Sequence, residues 1–378
     1  MYFNSTVWKF RKFTLTTFFR SSAVTLYRHH EEASNKEFAK MNVKPPDDKN
    51  VISTYRITID LLGLHAQSIA RVSSVVDLVF SIYEYSNGSF KPLCESYIIE
   101  NWNIFEKNEA TGIRFQFGDF STNDIQAFDS DRTAMGKVTM EKRLYLVCNV
   151  VYNGNYCAKV NDQYRRSHRG ADFDEVDGKK VSFRKPCGVA AEDITSKFSF
   201  KQNKKKEKDK LNCKFLVGSE TEALETTLKN LLSGNKGNPE PDALKCFLSV
   251  SLGENRDSSL IPNNIPTAKR LGLPDIIMPD DNRNDLYINL TYGSLSKLDK
   301  LQDRNVEVAM EVCDENGQVI PQALSLGVGS ELRDQFTSVV YYHMGKVRWN
   351  EVVKVVIEAH QYDQCHLRFT FTHRSRKP

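Results

Sequence analysis

At 378 residues the chain has room for two or three domains with real cores, and its 40% hydrophobic and 26% charged residues are ordinary for a soluble globular protein. A net charge of only +4 leaves a whole-chain electrostatic case for nucleic acid weak, so any such case has to be local. The eight cysteines are scattered without a C-x-x-C pair, as reduced thiols are, and no apolar run approaches the ~20 residues that span a bilayer.

The chain starts oddly. No acid precedes Glu31, while Lys9, Arg11, Lys12, Arg20 and Arg28 are mixed with aromatics, Ser and Thr. That composition suits a transit peptide, but nothing downstream reads as a matrix enzyme, so residues 1–20 read as a divergent or disordered start. Ser22–Met41 suits a helix: Ser22 can cap it, Leu26, His30, Ala33 and Phe38 fall roughly on one side, and Pro45-Pro46 stops it. Strand patterns follow at Ser53–Leu62, Val75–Tyr85, Ile113–Phe117 and Leu144–Tyr152, with Asn87-Gly88 as a tight turn. Asn153–Lys180 has no periodicity and is expected to be unstructured.

Lys201–Lys210 (KQNKKKEKDK) reads as a solvated charge run. The alternative, a nucleic-acid-binding protein using that run, would want aromatics among the lysines for base stacking, and there are none. Glu220–Leu232 predicts a helix with Leu224, Leu228 and Leu231 at helical spacing and a capping box from Ser219 and Glu222. Leu244–Leu252 predicts a strand, and Pro262–Asp280, with four prolines, reads as a linker.

Beyond it lie five predicted strands: Asp285–Tyr292, Arg304–Cys313, Gln335–His343, Arg348–Ile357 and Cys365–Thr372. In the first, Leu286, Ile288, Leu290 and Tyr292 face one way; in the second, Val306, Val308, Met310 and Val312 alternate with Glu307, Ala309 and Glu311. A period of two with one polar face is the mark of a half-buried antiparallel strand. Because consecutive antiparallel strands reverse direction, the connections after strands one, three and five share one end of the sheet. That end collects Lys297, Lys300, Arg304, Lys346, Arg348, Arg374, Arg376 and Lys377 against only Asp299 and Asp303, whereas the other end is mostly acidic. Sandwiches of this kind use about seven or eight strands, so residues 281–378 read as a domain cut short, with an open edge beside its last strand.

Catalytic motifs are not assembled. His30-Glu31-Glu32-Ala33-Ser34 starts like a zinc-protease helix but has Ser34 where the second histidine belongs, and no phosphate-loop motif is present. Two aspartates among eight cations do not make a calcium site. Cys365 and Trp349 read as core residues.

Seven short motifs, in order, resemble the DOCK family of guanine nucleotide exchange factors, in its Rac-activating branch. They are Leu26–Ser34 (LYRHHEEAS), Ala268–Pro279 (AKRLGLPDIIMP), Arg283–Tyr287 (RNDLY), Asn305–Val308 (NVEV), Ser338–Tyr342 (SVVYY), Arg348-Trp349 and His366–Ser375 (HLRFTFTHRS). The resemblance implies a mainly β chain with some helix (α+β). A short helical segment and a β-rich region over 21–261 would precede the linker over 262–280, and an incomplete C2-type antiparallel sandwich would cover 281–378. It implies a phosphoinositide membrane as partner, above all phosphatidylinositol 3,4,5-trisphosphate, held by Lys297, Lys300, Lys346, Arg374, Arg376 and Lys377. Arg would offer such a headgroup bidentate contacts. Asp280 stands where the family has glycine. The resemblance further implies an ELMO-type scaffold contacting the helix over Ser22–Met41, and a Rac-like GTPase served by a downstream helical region that this chain does not include. The chain is therefore expected to be non-catalytic and cytoplasmic, recruited to the plasma membrane, with no cofactor and no nucleic acid.

Overall fold

Alternating apolar residues and tight turns build the first domain from strands. The computed structural model describes residues 6–9, 54–65, 75–103, 112–120, 124, 142–154, 174–176, 179–181, 183–195, 209–217, 223–232, 245–255, 265–272, 285–294 and 305–374 without 343 and 345. In chain order the elements begin with β1 (Thr6–Lys9), β2 (Thr54–His65), β3 (Val75–Ser86), β4 (Ser89–Pro92), β5 (Tyr97–Asn103), β6 (Ile113–Phe120) and β7 (Arg143–Gly154). They continue with β8 (Asp174–Val176), β9 (Lys179–Val181), β10 (Phe183–Asp193), β11 (Asp209–Val217), α1 (Leu224–Leu232), β12 (Lys245–Asn255) and β13 (Thr267–Lys269).

One sheet runs in the order β13-β6-β2-β12-β11-β10-β7-β3-β4, with β5 also on β3. It folds over on itself, so Ile57, Ile59, Phe115 and Phe117 from one half share a core with Leu78, Phe80, Leu146, Cys148 and Val150 from the other. Phe115 lies at the centre, 5.2 Å from the Phe80 ring and stacked 4.0 Å from that of Tyr97. Near β13 the fold closes: Glu95 N donates to Lys269 O at 2.8 Å and Leu271 N to Leu93 O at 2.7 Å. Part of the segment read as a linker is thus woven into the first domain. Asn87 and Gly88 make the two-residue turn between β3 and β4, with φ of 53° and 73°, as a primed hairpin turn requires.

Several expectations change here. The stretch read as unstructured contains β8 and β9, which pair with each other; a three-residue strand is too short to show a period. β10 is a strand that pattern does not announce, because Pro186 and Gly188 interrupt it. The register against β7 shifts between those two residues, a bulge that lets proline sit inside a sheet. α1 begins at Leu224. The helix predicted over Ser22–Met41, residues 201–208 of the charge run and the capping box at Ser219 and Glu222 lie outside the described residues.

The second domain comprises β14 (Leu286–Ser294), β15 (Val306–Cys313), β16 (Leu324–Ser325), β17 (Gln335–Thr337), β18 (Lys346–Val355) and β19 (His366–His373). It is a sandwich of two antiparallel sheets, ordered β14-β18-β16 and β1-β19-β15-β17. Between them pack Met310, Val312, Phe336, Val353, Val355 and Leu367. Trp349 is 2% exposed and donates Nε1–H to Val339 O at 3.0 Å, so it is a core aromatic as expected. Cys365 is buried as well.

Three details depart from the expected pattern. β1 pairs with β19, from Thr6↔Phe369 to Lys9↔His366, so the edge expected to be open is occupied; the unpaired peptide groups of an edge accept any extended segment. The strand predicted over Gln335–His343 stops at Thr337, because Val339 and Val340 donate to Glu351 Oε1 and to Arg184 O of β10 instead of continuing the ladder with β15. Tyr292, expected to face the core with Leu290, points outward. Leu290 pairs with Glu351 but Tyr292 with Arg348, so two β18 residues oppose Thr291 alone. Asn350 takes the bulge, with φ of 51°.

Candidate functional site

Strand pairing fixes which termini lie together. The end of β14, Ser294, is opposite Lys346 at the start of β18, and the start of β15, Val306, is opposite His373 at the end of β19. Val306 and Val347 share one apolar cluster, so both sheets present these termini at the same end of the sandwich. The segments 295–304 and 338–345 and the chain after residue 374 all join the sandwich at that end.

Of the residues assigned to the phosphoinositide site, Lys346 and Arg374 fall within the described part. Lys346 is exposed. Arg374 is engaged in the framework: its Nη2 donates to Glu307 Oε1, and its backbone bonds both ways with Asn305. Glu307, expected on a solvated strand face, is only 3% exposed beneath it. Arg368 likewise bonds Glu311, with Nε 2.8 Å from Oε2. Lys297, Lys300, Arg376 and Lys377 lie outside the described residues.

The same end carries an aromatic that the strand pattern alone assigns to the core. Tyr292 is 71% exposed, the most of any large hydrophobic residue described. Its cross-strand partner Arg348, with a side chain 64% exposed, reaches Glu225 of α1 at 3.2 Å. Lys229, one turn along α1, holds the other oxygen of Glu225 at 2.8 Å. Among these described residues one carboxylate therefore serves two cations.

Behind this end the two domains are bonded together. Arg184 of β10 donates through Nη1 to Thr337 O and to Glu351 Oε2, each at 2.7 Å. Val151 of β7 packs among Val308, Val339, Tyr341 and Trp349. At a second place Val328 bonds in both directions with the β5 edge: its N–H donates to Ser96 O at 2.9 Å, and its carbonyl accepts from Ile98 N at 2.8 Å. The flanking glycines make that approach feasible. A Cβ on Gly329, whose φ is 90°, would lie 2.4 Å from Ile98 O, and one on Gly327 would lie 2.3 Å from Ser96 O.

Nearby, Tyr287 Oη donates to Glu95 Oε1 at 2.5 Å, and the Lys354 ammonium sits 2.7 Å from Asp285 and 3.4 Å from Glu95. Burial works against the charged ammonium, but the Asp285 hydrogen bond and the Glu95 charge outweigh it and hold Lys354 above its ordinary pKa. Burial also pushes the phenols of Tyr83 and Tyr341 well up, with the Glu351 charge adding to it.

Among the described residues, several of the motifs singled out in the sequence belong to the framework. Tyr287 of RNDLY bonds Glu95 across the domains while Asp285 holds Lys354, which also reaches Glu95. Asn305 and Glu307 of NVEV hold Arg374, and SVVYY supplies Val339 and Val340 to the junction. Arg184, Glu351 and Glu95 give no local signal, because their partners are remote in the chain. Arg184 and Glu351 are separated by 167 positions, and Glu95 and Tyr287 by 192.

Comparison with known proteins agrees with this arrangement. Residues 14–272 match the model of the DOCK N-terminus, and residues 279–378 match that of the C2 domain in Dock180 and Zizimin proteins. Dedicator of cytokinesis protein 3 of Homo sapiens is 27% identical over 325 residues, 84% of this chain and 15% of the relative. The Mus musculus protein of that name is 28% identical over 309 residues, 80% of this chain and 14% of the relative. Dedicator of cytokinesis protein 4 of Mus musculus is 39% identical over 120 residues, 32% of this chain and 6% of the relative. The chain therefore spans about 15% of the length of the human protein 3 relative. With a family model matched over more than half its length and a second matched beyond it, the chain belongs to the DOCK family.

Proposed function

We propose that the chain is the N-terminal, non-catalytic part of an exchange factor for Rac-like small GTPases, and that its second domain docks on phosphoinositide membranes. The observation that supports the docking is that the segment carrying Lys297 and Lys300, the start of β18 with exposed Lys346, and the chain carrying Arg376 and Lys377 join the sandwich at one end. Lys297, Lys300, Lys346, Arg376 and Lys377 would meet the headgroup phosphates, with phosphatidylinositol 3,4,5-trisphosphate the preferred lipid. Arg374, spent on Glu307, would root the third segment in the sheet. An ELMO-type scaffold would contact Ser22–Met41, and exchange activity would reside in a downstream region. Such a protein would work in the cytoplasm and be drawn to the plasma membrane.

Co-sedimentation of the 378-residue chain with phosphatidylcholine–phosphatidylserine vesicles, with and without the trisphosphate lipid, tests the reading. Binding should rise with the trisphosphate lipid and fall with salt. Each of Lys297→Ala, Lys300→Ala and Lys346→Ala should weaken it by about 1 kcal/mol, the worth of one basic residue at an anionic surface. Binding indifferent to the lipid and to all three substitutions sinks the idea.

A further inference from the structure

We propose that Tyr292 is an interfacial anchor that enters the headgroup layer of an anionic bilayer while Lys346 and Arg348 hold the surface charge. The inference rests on the membrane reading above and adds an apolar contact to it. Strict alternation would place Tyr292 in the core, beside Leu290. The Asn350 bulge turns it outward instead, and Gly293 takes the inward position, where a Cβ would lie 3.0 Å from a ring carbon of Trp349. The fold thus keeps a large aromatic 71% exposed at a fixed position in a strand.

Its neighbours identify the occupant. Tyr292 is paired across the strands with Arg348, and Ser294 with Lys346, so the outward face of this strand end combines one aromatic with two cations. Its acidic neighbour among the described residues is Glu225, which lies between Arg348 and Lys229 of α1. A tyrosine ring has an apolar body and a hydroxyl that prefers to stay wet, which suits the depth of the lipid headgroups. The adjacent cations favour an anionic leaflet. A purely apolar partner would leave those charges unanswered, and a purely polar one would leave the ring in water. Because Tyr292 sits in a paired strand, its backbone is already ordered, and the entropic cost of docking falls on the side chain alone.

Tyr292→Trp in the full chain, compared with the unsubstituted chain, tests the anchor. Subtracting the unsubstituted chain removes the signal of the three native tryptophans, of which Trp102 and Trp349 are 8% and 2% exposed. With phosphatidylserine vesicles containing the trisphosphate lipid, the new indole should shift to the blue and be quenched by lipids brominated near the headgroup. Tyr292→Ala should weaken vesicle binding about fivefold, the order expected from partial burial of one ring, while keeping the salt dependence and the thermal midpoint of the parent. Tyr292→Phe should stay close to the parent.

Vesicle binding by the parent with no quenching, and with Tyr292→Ala unchanged, overturns the anchor and leaves the basic-segment reading standing. No vesicle binding by the parent overturns both. Sedimentation velocity covers a second copy of the chain: self-association abolished by Tyr292→Ala, with vesicle binding unaffected, assigns the face to that copy and overturns the proposal.

Discussion

Arg184 and Glu351, in different domains, meet at 2.7 Å with side chains only 11% and 17% exposed. Glu351 also accepts from Val339 N at 2.7 Å, and Arg184 also donates to Thr337 O, so the pair closes a network across the junction. Ion pairs at exposed sites contribute little, but one withdrawn from water leaves an unanswered charge when either partner is removed. Arg184→Ala should therefore lower stability by about 2 kcal/mol, seen as an earlier midpoint in urea. Adding Glu351→Gln should restore part of the loss, and simple additivity of the two substitutions would show that the pair does not couple the domains.

Gly329 offers a second test of the same junction. Its φ of 90° and the 2.4 Å that would separate an added Cβ from Ile98 O leave no room for a side chain. Gly329→Ala should displace the Val328 segment from the β5 edge, at a cost of about 1–3 kcal/mol for the strained backbone. Amide exchange at Val328 and Ile98 should accelerate, while Phe80 and Phe115 in the first core stay protected. Unchanged exchange at Val328 would contradict the clasp.

Glu95 serves Tyr287, Lys354 and the Lys269 amide together. Glu95→Ala should destabilise the chain by about 2–3 kcal/mol, because a buried carboxylate that accepts several hydrogen bonds leaves its donors unsatisfied. Glu95→Gln keeps an acceptor and should lose less than half as much. Equal losses in thermal unfolding would mean that the charge matters more than the hydrogen bonds.

The alkaline limb of stability follows from Lys354, Tyr83 and Tyr341, whose pKa values are all raised in the fold. A raised pKa contributes stability that is fully present below the unfolded value and is lost as pH rises toward the folded one. Stability from these groups should be level through neutral pH and fall above about pH 10, where unfolded tyrosine and lysine shed protons. Tyr341→Phe removes one such phenol, so its alkaline slope should be shallower by about 1.4 kcal/mol per pH unit. Urea unfolding across pH 8 to 11 would measure it, and an unchanged slope would contradict the assignment.

Most strands of the second domain and the long strands β2, β3, β6, β7 and β12 of the first are legible in the sequence, because a side-chain period of two is a local property in β2 and β15 and β7 is an apolar run buried on both faces, whereas β5, β11 and β13 are not. Asn87-Gly88 is legible for the same reason: a turn needing positive φ writes itself into adjacent residues. β10 is hidden, since its proline is tolerated only through a bulge that depends on how β7 pairs with it.

Pattern and order along the chain were enough to set the strand-rich class and, through the reversal of consecutive strands, which strand termini share an end. How the charges at that end are used was settled only by packing. Arg374 is committed to Glu307 and Arg348 leans on Glu225, while a bulge at Asn350 turns Tyr292 from core to surface. Those outcomes depend on partners from distant strands and from α1, and on a one-residue slip in register. A pattern read along one strand carries no information about either, because pairing is set by the competition of whole sheets for the same backbone bonds and the same core.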